Sequence, residues 1–317
     1  MKAAVIKDYA TQIEISEVAK PQLQDESVLI QVHAASLNPI DNILRAGYMK
    51  AMMPLSFPHV MGYDVSGTVV EVGKNVQSVK IGDNVFARPN QEDAGALAEF
   101  ARLQESELAI KPDNLSHQDA ASVPLAGLTA WQALVSKGHI KSGDKVLIHA
   151  GSGGVGTFAI QIAKHFGAFV ATTTSAKNAQ LVKDLGADVV IDYKTQNFED
   201  ELSKYDLVID MLGGDTLVRS FNVLKKGGTM VSIKGQDTDG LAVKAGVRFE
   251  AFFMSPDGKM LAELGALISN GTIQTVIDSV FPMDQAAAAY DQLATGRAVG
   301  KIVVTLPYAQ IAISPAF

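Results

Sequence analysis

A glycine-rich turn between an apolar strand and a helix constrains the fold of this chain more than any other feature of its sequence. The turn, residues 150–156 (AGSGGVG), follows a candidate strand at 145–149 and opens a candidate helix at 155–166. Three of its glycines satisfy the pattern G-x-G-x-x-G: Gly151, Gly153 and Gly156. Without β-carbons, the backbone can turn tightly and approach a pyrophosphate, whose charge then lies at the helix N-terminus. In this strand–turn–helix context the pattern predicts dinucleotide binding.

Strands and helices continue to alternate after the turn. The candidate strands are 169–173, 189–191, 206–210 and 228–233, and the candidate helices are 176–185 and 216–224. This alternation predicts an α/β domain with a doubly wound parallel sheet. The last segment is less regular, with candidate helices at 258–269 and 284–293 and a candidate strand at 300–305. Periodicity leaves open whether this segment completes the parallel domain or returns to the first part of the chain.

The first hundred residues have a different pattern of predicted secondary structure. They contain short candidate strands separated by turn signals, for example at 28–34, 67–72 and 84–87. Helical periodicity is weak there, which indicates a mainly β, barrel-like lobe. An alanine-rich candidate helix over 120–137 marks the change from short strands to helical periodicity, so we place a boundary near residues 115–125.

Composition excludes several classes of function. The chain has no cysteine, which excludes disulfides, thiolate catalysis and zinc sites with sulfur ligands. Its six histidines form no HxH or HxxxH pair, so we expect no functional metal. A net charge of −7 argues against nucleic-acid binding and a basic membrane patch. The N-terminus lacks a signal-peptide core and no apolar run approaches the roughly 20 residues that span a bilayer, so we expect a cytoplasmic protein.

The residues after the second strand of the parallel domain bear on the choice of cofactor. An NAD site normally places an acid about 20 residues after the glycine turn, where it binds the ribose hydroxyls. This chain has residues 172–177 (TTTSAK) there, and hydroxyls with an ammonium group suit the 2′-phosphate of NADPH. A second interpretation makes Ser175 a helix N-cap and Lys177 a solvated side chain. The two interpretations are compatible, and we expect NADPH as the cofactor.

Several separated motifs carry a family resemblance: 36–41 (SLNPID), 62–67 (GYDVSG), the glycine turn, 185–188 (LGAD) with 191–193 (IDY), and 300–303 (GKIV). With them the chain resembles the zinc-free medium-chain dehydrogenase/reductase superfamily, in its quinone and enone oxidoreductase branch. Zinc-dependent relatives carry Gly-His-Glu where this chain has Gly62, Tyr63 and Asp64.

The resemblance implies a domain arrangement and an assembly. It implies a GroES-like β-barrel catalytic domain at 1–122, a Rossmann NADPH-binding domain at 123–257 and a return to the catalytic domain at 258–317. It also implies that the substrate is held in the cleft between the domains and that the protein is a homodimer.

The glycine turn and the resemblance together assign the cofactor contacts. The pyrophosphate positions are Gly151, Ser152, Gly153, Gly154 and Val155. The 2′-phosphate positions are Thr174, Ser175, Lys177 and Tyr193. The nicotinamide and ribose positions are Thr129, Leu212, Gly213, Ile233, Lys234, Phe252 and Phe253. Lys301, in the GKIV motif, is a further cofactor-binding candidate, while ordinary turns and core aromatics are the alternative for the nicotinamide loops and the two phenylalanines.

Without a metal, an enzyme stabilises an alkoxide poorly, so we expect a quinone or an α,β-unsaturated carbonyl as hydride acceptor. Asn38 and Tyr48 are the catalytic candidates, because both can donate a hydrogen bond to the developing oxyanion. The substrate-binding candidates are Asn38, Asp41, Tyr48 and Met52, with Asp41 in an orienting or structural role and Met52 in an apolar pocket rim over 49–57. As alternatives, Asn38 only shapes a turn, Tyr48 is a wall with solvent as proton source, or the chain is a non-catalytic NADPH-binding sensor.

Overall fold

The computed structural model describes residues 1–90 and 95–307. The chain forms two compact units, each described here by itself. Unit 1 comprises Met1–Leu125, Pro256–Asn270 and the described residues from Thr275 onward. Unit 2 comprises Ala126–Ser255 and Gly271–Gln274. The elements below are numbered in chain order.

Unit 1 is mainly β. Its strands are β1 (Lys2–Ile6), β2 (Glu14–Glu17), β3 (Ser27–Leu37), β4 (His59–Val60), β5 (Asp64–Val72), β6 (Asn84–Ala87), β7 (Phe100–Gln104), β8 (Leu108–Ile110), β15 (Ile277–Pro282) and β16 (Lys301–Thr305). Its helices are α1 (Pro39–Arg45), α2 (His117–Ala121), α9 (Gly258–Ser269) and α10 (Ala286–Ala294). A seven-stranded sheet has the order β15-β16-β3-β5-β6-β8, with β7 also paired to β3, and a three-stranded sheet has the order β2-β1-β4.

Strand β3 is the centre of unit 1. Its sequence, SVLIQVHAASL, is almost continuously buried rather than alternately exposed, as expected for a strand covered on both faces. It pairs antiparallel with β5, β7 and β16. The segment that follows β3 therefore starts from a rigid position, and it carries Asn38 and Asp41.

Unit 2 is a parallel sheet with helices. Its strands are β9 (Lys145–Ile148), β10 (Phe169–Thr174), β11 (Val189–Asp192), β12 (Tyr205–Asp210), β13 (Leu224–Ser232) and β14 (Arg248–Ala251). Its helices are α4 (Gly154–His165), α5 (Ala179–Asp184), α6 (Phe198–Glu201), α7 (Gly214–Ser220) and α8 (Leu241–Ala245). All strand pairs are parallel, in the order β11-β10-β9-β12-β13-β14. The predicted doubly wound parallel sheet is confirmed.

Two helix predictions need correction. The helix predicted over 120–137 is interrupted, because α2 ends at Ala121 and α3 (Pro124–Trp131) begins at a proline. Proline has no N–H and is accepted at the start of a helix but not in its interior. A π-helix, Gln132–Lys137, then follows α3. The helix predicted over 216–224 ends at Ser220 and continues only as a 3₁₀ turn before β13.

Candidate functional site

The glycine turn lies at the carboxyl ends of the parallel strands of unit 2. It follows β9, and the strand order reverses between β9 and its neighbours β10 and β12. In doubly wound sheets, ligands bind at this switch point. We call the polar residues that end or directly follow these strands the carboxyl edge: His149, Thr173, Thr174, Asp210 and Ser232.

The glycines of the turn have different steric surroundings. A β-carbon on Gly151 would lie 2.0 Å from Thr172 Oγ1, and one on Gly156 would lie 2.4 Å from the Ala150 carbonyl oxygen. These two glycines are required by the packing of the turn itself. A β-carbon on Gly153 would meet only the Ala150 oxygen, at 3.3 Å. The fold therefore constrains Gly153 much less than the other two, and the missing side chain there leaves room for a group outside the protein, which fits the approach of a pyrophosphate.

The first turn of α4 is also suited to an anion. Gly153 is the N-cap residue, and no side chain among the described residues caps the helix there. The amides of Gly154 and Val155 belong to the first turn of this helix, where backbone N–H groups lack an intrahelical partner. Together with the helix dipole, such amides attract a phosphate group. The turn therefore fits the pyrophosphate of a dinucleotide.

A buried histidine supports the start of the glycine turn. His149 Nε2 lies 2.9 Å from Ser220 Oγ, and Nδ1 lies 3.2 Å from Thr173 Oγ1. Since Ser220 donates its proton to the Thr216 carbonyl, Nε2 donates to Ser220 and Nδ1 accepts from Thr173. Thr173 in turn accepts the Ala150 N–H. Burial lowers the pKa of His149 to about 4, so the ring is neutral near pH 7.

A buried aspartate holds the two loops that follow β12 and β13. Asp210 is fully buried and accepts hydrogen bonds from the amides of Leu212 and Gly213 at 3.0–3.2 Å. Ser232 donates to the same carboxylate at 2.6 Å and accepts the Gly235 amide at 2.9 Å. One carboxylate therefore sets the course of both loops in which the nicotinamide contacts are predicted.

The hydroxyls at the end of β10 have separate tasks. Thr172 donates to the Ile148 carbonyl, and Thr173 bonds to His149, so both serve the interior of unit 2. Thr174 donates to Ser152 Oγ at 2.9 Å, which joins the end of β10 to the glycine turn. Thr172 and Thr173 contact the start of the turn, at Gly151 and Ala150, whereas Thr174 bonds to Ser152 in its middle.

The predicted 2′-phosphate residues lie at the ends of two adjacent strands. Thr174 of β10 pairs with Asp192 of β11, so Ser175 and Tyr193 follow neighbouring parallel strands. Ser175 occupies an N-cap position, yet within the described residues its side chain makes no capping bond. Lys177 is exposed and Tyr193 is 62% exposed. The corner therefore presents an exposed ammonium and an exposed phenol beside the Ser175 hydroxyl, whose residue is 7% exposed.

The remaining predicted contacts of unit 2 are placed as follows. Thr129 is buried, while Leu212 and Phe253 are 51% and 70% exposed. Gly213 and Lys234 lie side by side, since a β-carbon on the glycine would be 3.3 Å from Lys234 Cβ. The Phe252 amide donates to the Ser232 carbonyl. The two loops and the start of the Phe252 segment are therefore adjacent at the carboxyl edge.

Unit 1 contains a second polar group in its interior, which we call the buried polar cluster: Ser36, Asn38, Asp41, Asp64 and Lys301. Asp64 Oδ2 accepts hydrogen bonds from Ser36, from Asn38 Nδ2 at 2.8 Å and from Lys301 at 3.2 Å. Lys301 also donates to Asn38 Oδ1 and to the Leu37 carbonyl. These bonds use all three donors of the ammonium group.

The first turn of α1 brings Asp41 into this cluster. Asn38 is the N-cap and Pro39 the first helical residue, an arrangement that proline's fixed φ favours. Asp41 Oδ2 accepts the Asn38 amide at 2.9 Å and the Tyr290 hydroxyl at 3.4 Å. Burial is the main cause that raises the pKa of Asp41 to about 7. The predicted substrate residues differ in exposure. Tyr48 is 84% and Met52 69% exposed, whereas Asn38 and Asp41 are buried.

Comparisons with known proteins now add to this geometry. Residues 24–113 match the alcohol dehydrogenase GroES-like domain, and residues 185–304 match the zinc-binding dehydrogenase domain. A 2-methylene-furan-3-one reductase of Solanum lycopersicum is 41% identical over 96% of this chain and 79% of its own length. An NADPH-dependent alkenal/one oxidoreductase of Arabidopsis thaliana, named chloroplastic, is 39% identical with the same coverage. The quinone oxidoreductase structure from Coxiella burnetii has a TM-score of 0.90 at 36% identity, covering 97% of this chain and 99% of that one.

The chain belongs to the medium-chain dehydrogenase/reductase superfamily. Within this superfamily it falls in the quinone and enone oxidoreductase branch, as its sequence motifs indicated. The α/β fold class with a GroES-like domain and a parallel-sheet domain is confirmed. As a member of this branch, the protein is an NAD(P)H-dependent oxidoreductase of the quinone and alkenal reductase type, and its cofactor is a nicotinamide nucleotide.

Three further observations describe this medium-chain reductase. Tyr63, at the position where zinc-dependent relatives carry histidine, is 1% exposed. Within residues 1–90 and 95–307, no three His, Cys, Asp or Glu side chains are grouped so that they could hold a metal ion. None of the helices in that part of the chain is both long and apolar enough to cross a membrane.

Sequence reasoning missed three residues of the carboxyl edge. All three end or directly follow a strand: Asp210 and Ser232 accept amides of the turns that follow, and His149 reaches the glycine turn through Thr173, which accepts the Ala150 N–H. An available signal was a polar residue at the end of an otherwise apolar strand, as in YDLVID before Gly213 and Gly214. In a strand buried on both faces, such a residue needs a partner, and the amides of the next turn supply it.

Proposed function

We propose that the protein transfers hydride from NADPH to a quinone or an α,β-unsaturated carbonyl without using a metal. The observation that carries this proposal is the glycine turn of unit 2 together with the end of β10. The turn leaves space at Gly153, and Thr174, Ser175 and Lys177 take the place of the acid expected in an NAD site.

The choice of NADPH rests on charge at the end of β10. The 2′-phosphate is an anion that hydroxyl and ammonium groups bind and a carboxylate repels. The nearby Asp192 belongs to β11, and its carboxylate accepts hydrogen bonds from the Lys194 amide and the Thr195 hydroxyl. That carboxylate is therefore engaged by its own turn. Ser175 and Lys177, with Tyr193 beside them, are the residues that we assign to the phosphate.

The choice of acceptor rests on the chemistry of the chain and on its relatives. The names of the relatives state reduction of furanone, alkenal or quinone substrates. When bound, the reduced nicotinamide supplies the hydride, and conjugated carbonyls spread the resulting charge onto an oxygen without a Lewis acid. The chain has no cysteine for a zinc site, which supports metal independence.

Asn38 and Lys301 have related roles in this proposal. Lys301 donates all three of its hydrogen bonds to oxygen atoms of unit 1. Because none is left for the cofactor, we assign Lys301 to positioning Asn38. Asn38 Nδ2 donates one hydrogen to Asp64 and retains a second one, which it can donate to a substrate oxygen. Tyr48 remains a candidate donor on the exposed turn after α1, and Met52 a candidate pocket residue.

We also propose a homodimer. β14 is an outer strand of the six-stranded sheet, and such an edge can pair with a second chain. Sedimentation at several concentrations checks the mass. The cytoplasmic location stays a prediction, since the Arabidopsis thaliana relative is named chloroplastic.

Steady-state oxidation of NADPH tests the proposed function. The acceptor panel comprises 1,4-benzoquinone, 9,10-phenanthrenequinone and short 2-alkenals, each also assayed with NADH. We expect turnover with at least one acceptor class and a lower kcat/KM with NADH. Tight NADPH binding without oxidation by any acceptor would contradict the proposal and favour a non-catalytic sensor.

A further inference from the structure

Four buried side-chain atoms of unit 1 lack a hydrogen-bond partner among the described residues: Asp41 Oδ1, Asn42 Oδ1, Tyr63 OH and Arg88 Nε. Nearly all buried polar atoms in proteins are paired with protein or with ordered water. An isolated exception needs no function, but all four of these atoms belong to unit 1. Buried atoms of this kind need a polar ligand, and the question is which of them lie near enough to share one.

The side chains that carry these atoms are close to one another. The Arg88 guanidinium lies over the Tyr63 ring, 5.0 Å from its centroid. Asp41 interacts electrostatically with both of these residues. Tyr290 connects the remaining residue, because its hydroxyl donates to Asp41 and its carbonyl accepts from Asn42 Nδ2 at 3.4 Å. Asp41, Tyr63 and Arg88 therefore form one group of neighbouring side chains, which we call the polar chamber, and Asn42 meets the other end of Tyr290.

The mixture of donors and acceptors identifies the ligand. Arg88 Nε is a donor, Asn42 Oδ1 is an acceptor, and the Tyr63 hydroxyl can be either. A small anion fits poorly because Asp41 and Asn42 present oxygen atoms. Water donates and accepts at once, and buried water typically makes about three hydrogen bonds to such atoms. Water is the ligand class that satisfies all four atoms.

We propose that Asp41, Tyr63 and Arg88 enclose bound water and that this hydrated group supplies the proton consumed by the reduction. The inference rests on the proposed function. In an enone, the reduced nicotinamide would lose its C4 hydride and become oxidised, a C–H bond would form at the β-carbon, and the π electron pair would move to the α-carbon and carbonyl oxygen. The Asp41 carboxyl releases its proton through water to that enolate and regains one from solvent, so each turnover consumes one hydride and one proton.

The surroundings of Asp41 suit this role. Lys301, Arg88 and the Asn38 amide favour its carboxylate form, whereas burial and Asp64 oppose it. Burial is the largest of these effects, and the pKa of Asp41 is raised to about 7. Burial and the charge of Asp41 also raise the pKa of Tyr63, so this phenol stays protonated and can only relay a proton. Tyr290, the remaining titratable neighbour, is likewise held neutral by burial, which raises its pKa.

The first experiment tests the water itself. A crystal structure of the full chain should show ordered water within hydrogen-bond distance of Tyr63 OH and Arg88 Nε. Tyr63→Phe should lower the melting temperature by about 2 °C, since the bound water loses a partner. Tyr9→Phe is the matched control, because the Tyr9 hydroxyl accepts a defined hydrogen bond from the Leu55 amide. Empty density, or a Tyr63→Phe protein as stable as the wild type or more so, would overturn the hydrated chamber.

The second experiment tests the proton. In the wild type, kcat for a 2-alkenal should fall as pH rises through about 7, because the general acid must be protonated. Asp41→Asn should lower kcat at pH 6 by at least about tenfold and abolish the fall of kcat with rising pH. Asp284→Asn, which changes an exposed carboxylate of unit 1, is the control, and its kcat should still fall as pH rises. An Asp41→Asn enzyme with an unchanged pH profile would overturn the proton role.

These outcomes separate the inference from the proposed function. A wild type that reduces no acceptor contradicts the proposed function, while the water density and melting temperatures still decide whether the chamber is hydrated. A wild type that turns over with an unchanged Asp41→Asn profile contradicts only the proton role.

Discussion

The carboxyl edge of unit 2 and the buried polar cluster of unit 1 are both polar regions in the interior of the protein, but they are satisfied differently. At the carboxyl edge, side chains bond to the backbone of the turns that they support: Asp210 accepts amides of the loop after β12, and Ser232, which donates to Asp210, accepts an amide of the loop after β13. In unit 1, the ions Lys301 and Asp64 meet side chain to side chain, and nearby polar atoms remain unpaired among the described residues.

The difference follows from what each region must do. Backbone-bonded carboxylates and hydroxyls preset the course of loops, which lowers the ordering cost when a cofactor binds. A buried ion pair contributes little net stability but makes the loss of one partner severe. We therefore expect variants of unit 1 to act mainly on stability and proton transfer, and variants of the carboxyl edge mainly on cofactor affinity.

The largest expected effect is in unit 1. Lys301→Met leaves the Asp64 carboxylate buried without its ion partner, since the two side chains are 4% and 0% exposed. We expect a loss of about 3–5 kcal/mol in the free energy of unfolding. Denaturant titration measures it, with Lys74→Met as control, because the Lys74–Asp25 pair is mostly exposed and contributes at most about 1 kcal/mol. Equal losses for the two variants would remove the basis of the comparison.

The next effect is pH dependence of opposite sign in the two regions. His149 has a folded-state pKa of about 4, below the unfolded value, so its contribution is present above pH 6.5 and is lost as pH falls toward 4. The difference amounts to at most about 3 kcal/mol and should be missing in His149→Asn. Asp41 has a folded-state pKa raised to about 7, so its contribution is present at acid pH and is lost as pH rises through 7.

Stability curves of the wild type, His149→Asn and Asp41→Asn from pH 4 to 8 check both signs. The gap between wild type and His149→Asn should narrow toward acid pH, and the gap between wild type and Asp41→Asn should narrow toward alkaline pH. Parallel curves for all three proteins would show that neither group titrates as described.

A pair of glycine substitutions separates the packing of the glycine turn from its binding of the cofactor. Gly156→Ala places a β-carbon 2.4 Å from the Ala150 oxygen and should cost about 1–3 kcal/mol of stability. Gly153→Ala meets that oxygen only at 3.3 Å, so the fold should stay within about 0.5 kcal/mol of the wild type. Calorimetry with NADPH should nevertheless show at least tenfold weaker binding for Gly153→Ala. Unchanged affinity would mean that no phosphate approaches this residue.

The smallest effect concerns the loops held by Asp210. Asp210→Asn keeps the shape of the side chain but replaces one acceptor oxygen by a donor, facing groups that already donate. We expect a loss of about 1–2 kcal/mol in stability and a several-fold rise in the Kd for NADPH. Thermal unfolding and fluorescence titration measure the two changes; a variant that binds NADPH as well as the wild type would show that the loops do not need this anchor.

The sequence predicted the glycine turn better than the hydrogen bonds of the buried polar cluster, for a physical reason. The glycine turn, its strands and its helix are local patterns, so Gly151, Gly153 and Gly156 could be recognised from spacing alone. The bond between Lys301 and Asn38 joins residues 263 positions apart, and no local pattern reports it. The interruption at Pro124 was readable from proline chemistry, whereas the partners of His149 depend on the register of β9 and β10.

Isotope transfer is a direct test of the proposed NADPH-dependent hydride transfer to a conjugated carbonyl. NADPH deuterated at the reactive C4 position is incubated with the protein and a 2-alkenal, and the product is analysed by NMR. We expect deuterium at the β-carbon and a solvent-derived proton at the α-carbon. A saturated product without deuterium from either C4-labelled epimer of NADPH, or no product with any acceptor of the panel, would contradict it.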